Sequence, residues 1–403
     1  MVKPMKFLEI SHYFPSHKGG VEAVADALAH GFADKGHEVV WMAGDTGKEP
    51  QSEGRLRVVA FPINNFVENR TGVPFPIPLK RGIKAILREV RKADVLLLHD
   101  SLYLANIIAY LIAKLRGVPI IVVQYTRRVP TGTALLDLVI KIATVLVTHP
   151  MLSHAEQVVF IGNTALESYS HLQFKTPPEL IYCGVNTNLF HARAESETIS
   201  ALRSKYGLPD GRFIALFVGR FIRKKGLLAI KRMAALRPNW VWLLAGWGPI
   251  DPGKWRLDNV IALSGLDDAS IGELYRCCDL FVIPSVGEGG LPLAAREALV
   301  SGLPVVCGEE TRWADPGLAE LVIGAEVFVG DDDRTAHEFL RAIDDVMGSE
   351  TKKSKAEERQ ALAVSQFSWD AAIQRYLEVF SRLARPERPE ATEGETLAGE
   401  GPR

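Results

Sequence analysis

What most constrains this chain is an alternation of short apolar runs with amphipathic helical segments that plays through once and then starts again. Residues 5–10 form an apolar run, 21–35 repeat apolar side chains at helical spacing, and 37–43 and 56–61 read as strands. The stretch 93–98 is almost continuously apolar, 102–115 is helical, and 119–123 and 157–161 are strand-like again. Strands with no polar face, each followed by a helix, imply a parallel sheet covered on both sides. After residue 190 the pattern restarts, with strands at 213–218, 241–245, 260–263, 280–283 and 304–307 and helices at 226–236, 270–278 and 292–301. The expected fold class is therefore α/β, with two doubly wound Rossmann-like domains facing a central cleft. The first spans 1–185 and the second 190–366, with the linker inside 182–194. A last helix, 369–383, is expected to pack back on the first domain, and the Pro-, Glu- and Gly-rich tail 385–403 to be disordered. The length of 403 residues fits two cores, because one core stops growing at roughly 250–300 residues.

A formal net charge of -1 gives no electrostatic footprint for nucleic acid. The four cysteines, Cys183, Cys277, Cys278 and Cys307, form no C-x-x-C pair and read as reduced core thiols. The start, MVKPMKFLEISHYFP, lacks the apolar run of a secretory signal, and no run of about 20 apolar residues could span a membrane. A cytoplasmic protein is expected.

Ligands of doubly wound sheets bind beyond the carboxyl ends of the strands. Three motifs fall there. Gly19-Gly20-Val21-Glu22 follows the first strand and opens the first helix, where bare backbone and a helix N-terminus suit an anion, although an ordinary tight turn explains it as well. Val218-Gly219-Arg220, followed by Arg223-Lys224-Lys225-Gly226, sets Arg220 and Lys225 at the mouth of the second domain, where a diphosphate needs fixed positive charge. Gly287-Glu288-Gly289-Gly290-Leu291-Pro292 enters a helix that carries Glu297, and a glycine-rich turn at a helix N-terminus is a phosphate cradle. No G-x-G-x-x-G and no G-x-x-x-x-G-K-[ST] follows any strand, which argues against a dinucleotide oxidoreductase and a P-loop ATPase. Asp331-Asp332-Asp333 reads as a turn and helix cap rather than a metal site.

Taken in order, GGVEAVADALAHGFADKGHEV, IYCGVNTNLF, VGRFIRKKG, LLAGWGP, NVIALSGLDDASIGELYRCCDLFVIPS, EGGLPLAAREALVSGLPVV and FSWD resemble the retaining, nucleotide-sugar-dependent glycosyltransferases of family 4, with the GT-B fold, over roughly residues 5–383. The resemblance implies a donor diphosphate held by Gly19, Gly20, Arg220, Lys225 and the backbone of Gly289, Gly290 and Leu291. It implies Glu288 at the transferred sugar and Glu297 on the ribose, so that Glu288, Arg220 and Lys225 form the catalytic set. It further implies no metal and no cofactor beyond the nucleotide-diphosphate sugar, and a glycan or lipid-linked acceptor. Two positions depart from the family pattern. Glu288 and Glu297 are separated by eight residues where the family has seven, so either the extra residue sits in the glycine loop or Arg296 takes the ribose position. Tyr125 stands where many members have a histidine near the sugar, and His99-Asp100 is a second candidate contact after another strand, or a structural loop pair. Altered spacing and Tyr125 also leave room for a sugar-nucleotide-binding relative without turnover, or for another GT-B enzyme such as a nucleotide-sugar epimerase or an inverting transferase.

Residues 79–92 pair Lys80, Arg81, Lys84, Arg88, Arg91 and Lys92 with apolar side chains at helical spacing, a pattern shared by basic membrane-surface helices and ordinary surface helices. The apolar segment 134–147 is too short to span a bilayer and is expected to be core or a docking site for a lipid-linked acceptor.

Overall fold

The computed structural model describes residues 4–17, 20–71, 75–125, 134–192, 198–286, 288, 290–347 and 356–383. The tail 385–403, Gly19, Gly287 and Gly289 lie outside the described residues. Seven parallel strands build the first sheet: β1 (Lys6–Tyr13), β2 (Glu38–Gly44), β3 (Leu56–Phe61), β4 (Val95–His99), β5 (Ile120–Gln124), β6 (Gln157–Phe160) and β7 (Glu179–Leu180), in the order β3-β2-β1-β4-β5-β6-β7. Six build the second: β8 (Ile214–Arg220), β9 (Val241–Trp247), β10 (Val260–Leu263), β11 (Leu280–Ile283), β12 (Val305–Gly308) and β13 (Ile323–Ala325), in the order β10-β9-β8-β11-β12-β13. Each sheet reverses its winding once, between β1 and β4 in the first and between β8 and β11 in the second, and ligands settle at such switch points. The expected fold class is the observed one.

Helix α1 (Gly20–Asp34) covers one face of the first sheet, while α2 (Lys80–Val90), α3 (Leu104–Arg116) and α5 (His149–His154) cover the other. Between α3 and α5 runs α4 (Ala134–Ala143), continued into α5 by the wider helical turn Thr144–Thr148. The final helix, α12 (Trp369–Leu383), joins the core of the first sheet, with the Phe380 ring stacked on Phe7 at 4.2 Å. Its approach to α1 is made possible by Gly31, where a Cβ would lie 2.1 Å from the Ile373 side chain. The second sheet carries α7 (Leu227–Leu236), α8 (Asp268–Cys277), α9 (Leu293–Val300), α10 (Asp332–Met347) and α11 (Ala356–Phe367) around a core of Trp242, Phe217, Phe281 and Phe339. Helix α6 (Asn163–Ser168) follows β6.

The chain crosses between the sheets twice, side by side. Val185 N–H donates to the Phe367 carbonyl at 2.6 Å, and a Cβ on Gly184 would lie 2.3 Å from the Trp369 ring. The four cysteines are unbridged, three of them buried. Asp331 caps α10, its Oδ1 accepting the Arg334 N–H at 3.0 Å. No helix among the described residues is long and apolar enough to cross a membrane. One expectation fails as core: on the 134–147 segment Leu138, Val139, Ile142, Val145 and Leu146 face solvent, while Thr144 and Thr148 turn inward.

Candidate active site

The strand β8 ends on Arg220, whose guanidinium lies over the exposed Trp247 ring at 5.2 Å, Trp247 being its register partner on β9. A tight turn, Arg223–Lys225, then closes on Gly226. Gly226 adopts φ +75°, and a Cβ there would lie 2.3 Å from the Pro284 carbonyl. Only glycine permits that approach. Val286 N–H also donates to the Lys224 carbonyl at 3.1 Å, so the turn carrying Lys225 is fastened to the loop after β11. The consequence is that Lys225 Nζ sits 2.7 Å from Glu288 Oε1, with both side chains mostly buried. Residues 63 positions apart thus meet at the second sheet's switch point.

On α9, Glu297 takes a hydrogen bond from the Tyr275 hydroxyl at 3.1 Å. Burial raises its carboxyl to about 7, which the Tyr275 hydrogen bond only partly counters. Arg296 turns the other way. It is buried, its Nη1 donates to the Cys183 carbonyl at 3.3 Å, and its guanidinium packs on Tyr182 at 5.4 Å and Phe367 at 5.3 Å. Arg296 therefore braces the two crossings and leaves the face toward Tyr275 to Glu297. Gly290 sits where the domains touch: a Cβ would lie 3.0 Å from the Asp315 carboxylate and 3.4 Å from Gly162. Asp315 Oδ1 accepts the Asn163 N–H across that boundary at 2.8 Å. Leu291 is buried beside it. In this conformation Gly290 lies at the interdomain contact, while Leu291 belongs to the core of the second sheet.

In the first domain Gly20 opens α1 with nothing within 4 Å of where a Cβ would stand. His99 is not at the cleft. It is fully enclosed, with Nε2 at 2.6 Å from Glu9 Oε1 and Nδ1 at 2.6 Å from the Tyr125 hydroxyl. Burial pushes His99 down to about 3 and Glu9 well up, so the chain Glu9–His99–Tyr125 is held neutral. The Asn106 side chain binds the carbonyls of His99 and Asp100, and Asp100 adopts φ 71°. Both candidate sugar contacts are enclosed in this structure: His99, the last side chain of β4, turns inward, and its two ring nitrogens meet Glu9 and the Tyr125 hydroxyl. Residues 126–133, after Tyr125, lie outside the described residues.

A cluster the motifs did not reveal stands instead at the first switch point. His12 Nε2 lies 3.2 Å from the Glu22 carboxylate, His17 lies 3.2 Å from Glu22 and 2.7 Å from Glu68, and the Tyr13 hydroxyl bonds Glu68 and reaches Asn65 at 2.8 Å. His12 and Glu22 are buried, His12 is stacked on Tyr103 at 4.1 Å, and His12 Nδ1 has no hydrogen-bond partner among the described residues. Burial raises Glu22, yet its bonds to His12 and His17 bring it below the usual carboxylate range. The residues come from the end of β1, the turn before α1, α1 itself and the short helix Phe66–Thr71. The sequence signal was present as two histidines just before the glycine turn, but their carboxylate partners are scattered.

Residues 18–189 match the model of glycosyltransferase family 4, and residues 212–348 match that of glycosyl transferases group 1. A D-inositol 3-phosphate glycosyltransferase of Mycolicibacterium smegmatis is 28% identical over 57% of this chain, and the alignment spans 55% of that relative. Among solved structures, the sucrose-phosphate synthase of Thermosynechococcus elongatus superposes with a TM-score of 0.66 at 20% identity, covering 94% of this chain and 99% of that one. The Anabaena protein HepE, solved with UDP-glucose, superposes with a TM-score of 0.67 at 18% identity, covering 94% and 100%. Two parallel α/β sheets with this strand order, matched on one sheet by each of the two family models, make the chain a member of glycosyltransferase family 4 with the GT-B fold.

Proposed function

We propose that the protein transfers a hexose from a nucleotide-diphosphate sugar to a glycan or lipid-linked acceptor, with retention at the anomeric carbon and without a metal. The observation that carries this reading is the Lys225–Glu288 pair at 2.7 Å beside Arg220, on the strand ends of the second switch point. Two cations there match a diphosphate, and a carboxylate bound to one of them is placed to trade that partner for phosphate when donor enters. The Anabaena neighbour solved with UDP-glucose and the inositol-phosphate relative support a sugar-nucleotide donor and a polyhydroxylated acceptor.

In the proposed reaction the bond between the anomeric carbon and the β-phosphate oxygen breaks. Arg220 and Lys225 take up the charge that develops on the leaving diphosphate, which is the role a divalent cation would otherwise fill. The acceptor oxygen bonds to the anomeric carbon on the face the phosphate leaves, and the acceptor proton passes to a phosphate oxygen. Glu288 stabilises positive charge at the anomeric carbon, and Glu297 holds the ribose. Gly19 and Gly20 approach the phosphates from the first domain, with Gly289, Gly290 and Leu291 opposite once the domains close. His12, His17, Glu22 and Glu68 form the acceptor side. We place the reaction in surface-polysaccharide or glycolipid assembly, in the cytoplasm at the inner face of the membrane.

The test is proton NMR of the product formed from an α-linked sugar nucleotide. An α-linked product is expected. A β-linked product would contradict retention, and donor binding without turnover on any acceptor would favour a sugar-nucleotide-binding relative.

A further inference from the structure

Arg220 and Trp247 are register partners at the ends of the neighbouring strands β8 and β9, so their side chains leave the sheet on the same face. The backbone holds them together. A Cβ on Gly246 would lie 1.9 Å from the Gly219 carbonyl oxygen, and one on Gly248 would lie 2.5 Å from that of Phe221. Glycine on each side of Trp247 therefore lets the two strand ends close on one another. Phe221 N–H donates to the Trp247 carbonyl at 2.7 Å, and Ile250 N–H to the Phe221 carbonyl at 3.0 Å. Phe221 then enters the core, while Arg220 and Trp247 stay outside, the indole 60% exposed.

The two cations of the second switch point are held in different ways. Lys225 has a carboxylate partner in Glu288 and gives it up when phosphate takes its place. The Arg220 side chain makes no ion pair and no hydrogen bond among the described residues, and its guanidinium lies over the Trp247 ring at 5.2 Å. A ring face attracts a cation without neutralising it, and it does not occupy N–H donors as a carboxylate would. Arg220 thus keeps its charge and its donors for an incoming anion. A long side chain with no contact would lose rotamer freedom on binding, and a stack formed beforehand removes much of that loss.

We propose that Trp247 is a positioning residue for the donor: it holds the Arg220 guanidinium in place, with its N–H donors free, for the diphosphate of the sugar nucleotide. The inference rests on the donor reading of Arg220 and adds to it what orients that cation. Trp247 acts through Arg220 and not on the nucleotide base.

The experiment is calorimetric titration of the full chain with UDP, GDP and ADP and with the matching nucleosides. Wild type, Trp247→Ala, Trp247→Phe, Arg220→Ala and the double variant Arg220→Ala/Trp247→Ala are compared. Both side chains are exposed, and thermal unfolding checks that each variant is folded. For the diphosphate that wild type binds, Trp247→Ala should weaken affinity roughly 3–10-fold. Trp247→Phe, which keeps a ring beside the cation, should recover most of that loss. The double variant should bind no more weakly than Arg220→Ala, because without the guanidinium the ring has nothing to hold. The proposal alone is overturned if Arg220→Ala weakens binding while Trp247→Ala binds as wild type does, or if Trp247→Phe loses as much as Trp247→Ala. It is also overturned if removing Trp247 weakens binding by the same factor with and without Arg220; an equal loss for the nucleoside would then make Trp247 a base contact. If Arg220→Ala itself binds as wild type does, or no diphosphate binds wild type, the donor site is misplaced and the proposal falls with it.

Discussion

Lys225 and Glu288 form an ion pair whose members have different duties, and that separates their variants. Glu288→Gln removes the partner of Lys225 without removing the cation. Nucleotide-diphosphate affinity should hold or tighten, while kcat falls by roughly 100-fold or more because the sugar loses its stabilising carboxylate. A loss of affinity with unchanged kcat would put Glu288 on the wrong part of the donor. Glu297 makes a second prediction. Its carboxyl titrates near 7 when folded and in the ordinary carboxylate range when unfolded, so the folded state binds the proton more tightly. That contribution to stability is complete at acid pH and is lost as pH rises through about 7. Between pH 5 and pH 8 wild type should lose about 2 kcal/mol relative to Glu297→Gln in denaturant titrations. Equal pH dependence of the two would mean Glu297 is not buried as described. Arg220, Lys225 and Glu288 were legible as candidates because they are charged residues at or just after the ends of apolar strands, beside glycines, and Glu297 because it lies on the helix that the glycine-rich turn opens. What spacing could not decide was which of Arg296 and Glu297 takes the place beside Tyr275, since that depends on Tyr182, Cys183 and Phe367 reaching Arg296 from distant parts of the chain. The inward turn of His99 depends in the same way on Glu9 and Tyr125.

At the scale of elements, strands and helices buried on both sides were readable because periodicity and burial coincide, and β3, β10, β11 and α12 begin and end where the apolar pattern does. Strand β1 runs on past its apolar part through Ser11, His12 and Tyr13, after an irregularity in its pairing with β2. The polar end hid that extension of the strand, and with it the His12–Glu22 cluster. The two-residue strand β7 and the three-residue strand β13 are edges, held by tertiary pairing with too few residues to show a period. Helix α12 belongs energetically to the first sheet although it closes the described chain. Phe380→Ala should cost about 3–5 kcal/mol in chemical unfolding, given its full burial against Phe7 and Phe32. Gly184→Val should also destabilise, because its side chain would have to enter the space of the Trp369 ring. If Gly184→Val unfolds like wild type, the two crossings are not packed as described.

Over the whole molecule, the polar contacts between the two halves among the described residues include Asn163 with Asp315 and Arg296 with Cys183. Such a boundary suits closure around a ligand that touches both domains. Adding EDTA should leave transfer unchanged if Arg220 and Lys225 carry the leaving-group charge; loss of activity restored by a divalent cation would refute that assignment. The doubled α/β plan was visible in the sequence because each domain repeats the same period. The solvent-facing stripe on α4 was not, because an apolar helix reads alike whether it faces core or solvent. The measurement that bears most directly on the donor site is calorimetric titration of wild type, Arg220→Ala and Lys225→Ala with UDP, GDP, ADP and their hexose conjugates. One nucleotide class should bind wild type, and each variant should bind it roughly 10–100-fold more weakly, the loss of one charge-assisted contact. Unchanged affinity in both variants, or no binding to wild type by any of these nucleotides, would place the diphosphate elsewhere and contradict the assignment.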